Sequence, residues 1–103
     1  MIDAINQVVL DGKLVECGAV RYTPAGIPIL EGVLQHQSTV LELAKPRQVL
    51  CEIRWLLAGE QALSMQTHAL GLSVRMNGFL AKKSLNSKTL VLHVQSLQIL
   101  DPR

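Results

Sequence analysis

Aromatic residues are nearly absent from this 103-residue chain: Tyr22, Trp55 and Phe79 are the only three, 3% of the sequence. The core must therefore be aliphatic, and a surface that stacks rings has few residues to draw on. Cysteine is equally scarce. Cys17 and Cys51 sit in apolar, strand-like surroundings, and no apolar signal region follows Met1, so the expectation is a cytoplasmic protein with free thiols rather than a disulfide scaffold. No apolar run approaches the roughly 18 to 20 residues of a membrane-spanning helix, since even Trp55–Ala58 is closed by Gly59 and Glu60, so the expectation is a soluble protein with no membrane partner. Neither sign of charge dominates: ten Lys and Arg against eight Asp and Glu give +2, far from the strongly basic balance that by itself announces a nucleic-acid binder. Charge placement has to decide.

Signs of catalysis are missing too. Acidic residues are scattered singly, no Ser/His/Asp order stands out, and no glycine-rich loop ends in Lys-Ser/Thr. His36, His68 and His93 lack the spacing of a zinc site. We therefore expect no enzyme, no cofactor and no metal. Linkers, repeats and low-complexity tracts are also absent, so residues 1–103 read as a single domain, small enough that a partner subunit would help to hide its apolar surface.

What is present is a set of alternating apolar runs. Arg21–Pro28, RYTPAGIP, is a turn-forming loop between the runs Asn6–Val15 and Ile29–Val40, and its prolines and glycine keep one strand from simply continuing into the next. In the first run Val8, Leu10 and Leu14 share a face with Gly12, which suggests a bend. In the second, Leu30, Leu34 and His36 oppose Glu31, Gln35 and Gln37, with Ile29 and Val33 diluting the polar side. The third run, residues 48–59, sets Cys51, Ile53, Trp55 and Leu57 against Leu50, Glu52, Arg54 and Leu56, and the first set is the better core face. Glu60–Leu70 is the one plausible helix, bounded by Gly59 and Gly71. The fourth run, residues 73–83, alternates Val74, Met76, Gly78 and Leu80 with Arg75, Asn77, Phe79 and Ala81. The fifth, residues 89–100, offers Leu90, Leu92 and Val94 to a core. Five strands with a helix between the third and fourth predict an all-β, five-stranded Greek-key barrel of the OB-fold type, whose strand 2–3 face and 1–2 and 4–5 loops bind oligonucleotides. A generic barrel or an α+β sandwich would write a similar pattern.

Single-strand binding needs cations that follow phosphates and π faces that stack on bases. Lys82, Lys83 and Lys88 crowd one loop, where a solvated turn is the plainer explanation. Phe79 lies on the polar side of its strand, where a ring is unexpected, and is a stacking candidate; burial against a loop or a partner subunit is the alternative. Arg21, before the kinked loop, and Arg47, beside a 2–3 loop expected to be mobile, suit backbone contacts or bland surface charge equally. Trp55 has the parity of the core. Ile29, Val33 and Val91 have outward parity and are candidates for a subunit interface.

RYTPAGIP, a strand ending His36-Gln37-Ser38, GFLAKKS at Gly78–Ser84 and LVLH at Leu90–His93 together resemble the primosomal replication protein N (PriB) family, related to single-strand DNA-binding proteins. The likeness spans most of the chain. It implies an OB-fold homodimer that binds single-stranded DNA and assists the PriA helicase and the loader DnaT in replication restart, with Arg21, Lys82, Lys83 and Lys88 as phosphate-facing groups. Leu50 stands where family members can carry an aromatic residue. The rival reading from a different class is a barrel used only for protein–protein contact.

Overall fold

The alternating runs form strands because their apolar faces close on one another. A computed structural model describes residues 3–66 and 70–100. The order is β1 (Val8–Cys17), β2 (Arg21–Tyr22), β3 (Pro28–Glu42), β4 (Lys45–Ala58), α1 (Glu60–Met65), β5 (Ser73–Lys82) and β6 (Leu90–Ile99). The sheet order is β1-β5-β6-β4-β3-β2, and a further β1–β3 pairing closes it into a barrel of five long strands with β2 as a short appendage. All pairings are antiparallel except β4–β6. This is the five-stranded OB-fold barrel with its helix between the third and fourth long strands.

Closure depends on β1 serving two neighbours. Its first half pairs with β5 and its second with β3, and Lys13 faces both Ser73 and Gln35. Gly12 stands beside that exchange. A Cβ there would lie 2.4 Å from the Gln35 carbonyl oxygen, so the strands can approach only because the residue is glycine. The register shift itself falls between Leu14 and Glu16, beyond the glycine that suggested a bend.

Leu14, Leu30, Leu34, Trp55, Leu57, Val74, Met76, Leu92 and Val94 fill the barrel, and Ala62 and Met65 of α1 close one end. Trp55 is 1% exposed, as its parity required. Several expectations need correction. Cys51, assigned to the core face with Trp55, is exposed, because β6 covers β4 only over Arg54–Leu57 and Cys51 lies beyond that stretch. Leu90 is 51% exposed, because it opens β6 at the barrel rim opposite Lys82. Ile29, Val33 and Val91 are only 7%, 7% and 5% exposed in the single chain, so they are not free for an interface. Val33 is paired with Glu16 and Arg54, and Val91 with Arg54 and Ala81; the stems of such long side chains cover apolar neighbours on a curved outer face. The helix, finally, ends at Met65; residues 67–69 of the expected span, His68 among them, lie outside the described residues.

β3 and β4 run on past the barrel as a two-stranded arm, with Glu42 paired to Lys45 across a two-residue turn. The mobile 2–3 loop anticipated next to Arg47 is therefore a tight hairpin, with Leu43 and Ala44 both at positive φ. Among the described residues no helix is long and apolar enough to cross a membrane.

Candidate nucleic-acid interface

The register places outward side chains in rows across the barrel. One row reads Glu31, Leu56, His93, Phe79; the next reads Glu16, Val33, Arg54, Val91, Ala81. Phe79 thus stands on the outer face, but it is half-buried rather than freely exposed, and its ring is stacked on His93 with centroids 5.0 Å apart and planes 6° from parallel.

Lys82 ends β5, and the loop beyond it carries Lys83 and Lys88. Lys82 donates from Nζ to the Leu85 carbonyl at 3.0 Å. The Lys83 amide bonds Thr89, the Ser87 amide bonds Ser84, and the Ser87 hydroxyl accepts from the Thr89 amide. These bonds shape the loop while leaving all three ammonium groups exposed. Lys82, Lys83 and Lys88 have no carboxylate partner among the described residues.

The two candidate arginines are placed differently. Arg21 lies in β2, and its Nε and a terminal nitrogen both donate to one oxygen of Glu31, at 3.2 and 2.9 Å. Arg47 donates to Glu42 at 2.7 Å across the arm. Each cation is thereby partly neutralised, although both pairs are solvent-exposed and weak. Arg21 still belongs to the surface of Phe79: Glu31, its partner, heads the row that Phe79 ends, three strand spacings or about 14 Å away. Arg47 does not. It has the parity of Trp55 on β4, and so lies on the opposite face of that strand from Arg54 and Leu56.

The site residue that sequence reasoning passed over is Arg54. It is exposed, lies in the row next to Phe79 and has no ion pair among the described residues. It lines a cleft of about 400 Å³ with Lys83, Val91, Glu16 and Glu31. Its outward parity was visible in the sequence; its nearness to Lys83 depends on strand order. Cys17 also lines this cleft, and burial raises its thiol pKa, which favours the uncharged thiol. Leu50, 68% exposed, presents an aliphatic surface on the same parity as Arg54.

Comparison with known proteins fits this geometry. Residues 6–96 match a family model described as another single-strand binding protein family. The replication restart protein PriB of Bordetella pertussis is 40% identical over 91 residues, covering 88% of this chain and 85% of that one. PriB of Neisseria meningitidis serogroup B is 38% identical over 93 residues, covering 90% and 92%. Among solved structures, PriB from Ralstonia solanacearum superposes with a TM-score of 0.86 at 38% identity, covering 95% of this chain and 100% of that one. The single-stranded DNA binding protein of Thermus aquaticus gives a TM-score of 0.75 at 26% identity, covering 96% of this chain and 52% of that one. A barrel of this topology, matched over most of its length by sequence and by structure, belongs to the single-strand binding protein family and, within it, to the PriB group.

Proposed function

We propose that the chain is a non-catalytic, single-stranded DNA-binding protein of replication restart, active in the cytoplasm as a homodimer. In this reading Lys82, Lys83 and Lys88 neutralise phosphates and Phe79 receives a base, while Arg21 makes a secondary backbone contact and Arg47, off this face, meets only a strand that continues onto the arm. The PriA helicase and DnaT are its protein partners, by analogy with the family. The observation that carries the reading is the juxtaposition of three lysines, one ending β5 and two in the β5–β6 loop, none with a carboxylate partner among the described residues, with the one outer-face ring of that strand. Cations that track the backbone next to a stacking surface are what sequence-tolerant single-strand binding requires. Two copies on one particle would let a strand engage both loops and gain through effective concentration.

The test is fluorescence anisotropy of a labelled oligothymidine, single-stranded and duplex, at two salt concentrations. Single strands should bind in preference to duplex, with affinity falling steeply as salt rises. Alanine at all three lysines should flatten the salt slope by up to about 0.7 per lost contact. Salt-insensitive binding, or none, would defeat the proposal. One observation favours the protein-contact alternative: Leu41 and Leu43 at the arm tip and Leu50 behind it are strongly exposed, a surface that suits an apolar partner. The same titration separates the two readings.

A further inference from the structure

His93 has no place in the phosphate-and-ring account above, yet it makes the closest ring contact of Phe79. The two residues are cross-strand partners on β5 and β6, and their nearly parallel rings form an offset stack. This arrangement is built into the backbone. The β5–β6 register shifts between Asn77 and Gly78, where Asn77 pairs with Ser96 and Gly78 with Val94, leaving Gln95 as the extra residue. Such a bulge re-aims the side chains that follow it. Gly78 then lets the strands close: a Cβ there would sit 1.8 Å from the His93 carbonyl oxygen. On the other side, Leu56 of β4 is the register partner of His93. His93 therefore stands between Leu56 and Phe79 in its row, and Phe79 has no other ring contact among the described residues.

We propose that His93 is a positioning residue for single-strand binding: it backs Phe79, so that a nucleobase adds as the third layer of an existing two-ring stack. This rests on the reading of Phe79 given above. A lone ring on a strand surface loses rotamer freedom when a base lands on it, whereas a ring already held by a neighbour has less to lose. The ligand is a base of any identity, since every base offers a π face. Arg54, in the adjoining row, and Lys83, beyond Ala81, place two cations on the same side of the stack, along the cleft they share, for the phosphates that lead away from the stacked base.

The experiment is a double-mutant cycle on oligothymidine affinity with Phe79→Leu, His93→Leu, the double variant and His93→Phe, each checked by thermal melting. Leucine fills the space without a ring, which guards against loss of fold. Phe79→Leu should weaken binding about fivefold or more. His93→Leu should weaken it about two- to tenfold, the double variant should be no weaker than Phe79→Leu alone, and His93→Phe should restore wild-type affinity. If Phe79→Leu weakens binding while His93→Leu does not, the inference falls and the reading of Phe79 stands. Additive losses, or a His93→Phe variant as weak as His93→Leu, also overturn it. Unchanged affinity in Phe79→Leu removes the reading and the inference together.

Discussion

The side-chain amide of Asn6 pairs with Leu80 as a neighbouring strand would: its Nδ2 donates to the Leu80 carbonyl at 2.8 Å, and its Oδ1 accepts the Leu80 amide at 2.9 Å. β1 leaves β5 at the Val8–Gly78 pair, so these two backbone groups would otherwise open an unpaired edge just before the lysine loop. Asn6→Ala should cost ~1 kcal/mol, because each net hydrogen bond is modest and water replaces both. Asn6→Asp should cost at least as much, since an ionised carboxylate still accepts from the amide but sets its second oxygen against the carbonyl oxygen that Nδ2 serves. Urea unfolding measures both, and amide exchange at Leu80 should quicken in the alanine variant. An Asn6→Ala protein with an unchanged midpoint and unchanged exchange would show that the edge does not need its cover.

The arm turn is strained by its residues. Leu43 and Ala44 have φ of 53° and 63°, the positive-φ pair of a type I′ hairpin that asparagine and glycine adopt at much lower cost. The double replacement Leu43→Asn with Ala44→Gly should stabilise the fold by ~1 kcal/mol and raise the melting temperature. Leu43 is 92% exposed, so no core contact is lost. A lower melting temperature would mean that the leucine contributes through an interface, which the oligomeric state of the double variant would reveal.

Asp11 and Arg75 connect β1 to β5 by a two-bond pair, at 2.7 and 2.9 Å. The hydrogen bonds from Arg75 and its charge, with a lesser contribution from His36, hold the Asp11 carboxyl below its ordinary range. A depressed folded-state pKa means a contribution fully present above the unfolded value near pH 4 and lost as pH falls through the folded value. The stability gap between wild type and Arg75→Met should therefore be constant at neutral pH and close in the acid range below about pH 4. Urea midpoints from about pH 7 down to about pH 2.5 check this; a gap that persists at the acid end would assign the loss to the packing of the arginine stem.

Much of this fold is written in local pattern. The parity of Ile53, Trp55 and Leu57 marks the inner face of β4, while Cys51, of the same parity, lies outside the barrel; alternation around Gly78 marks β5. Parity failed where it equates outward with exposed. Val33 and Val91 point out but are flanked by the same residue, Arg54, and only strand order reveals that. The site was less legible for the same reason. Arg21 meets a carboxylate ten residues away and Arg75 one at a distance of 64, while the stack of Phe79 on His93 depends on a bulge whose register no single strand encodes. The lysine loop could be read early because its three cations are neighbours in sequence.

If carboxylate pairing is what separates Arg21 from the lysines, removing the carboxylate should change its role. Glu31→Gln deletes the charge that holds Arg21 at 2.9 Å and also lessens the negative charge of the cleft that Glu31 shares with Lys83 and Arg54. Both changes favour a polyanion. Single-strand affinity should rise, and the salt slope should steepen by up to about 0.7, the increment of one added phosphate contact. Stability should move by no more than about 1 kcal/mol, because the lost pair is exposed. Arg21→Ala in the Glu31→Gln background should then reverse most of the gain, whereas Arg21→Ala alone should weaken binding less than Lys83→Ala. The comparison needs only the anisotropy titration at two salt concentrations on four variants. If Glu31→Gln leaves both affinity and slope unchanged, the strand does not pass the Arg21 end of the Phe79 row, and the binding path is confined to the β5–β6 loop.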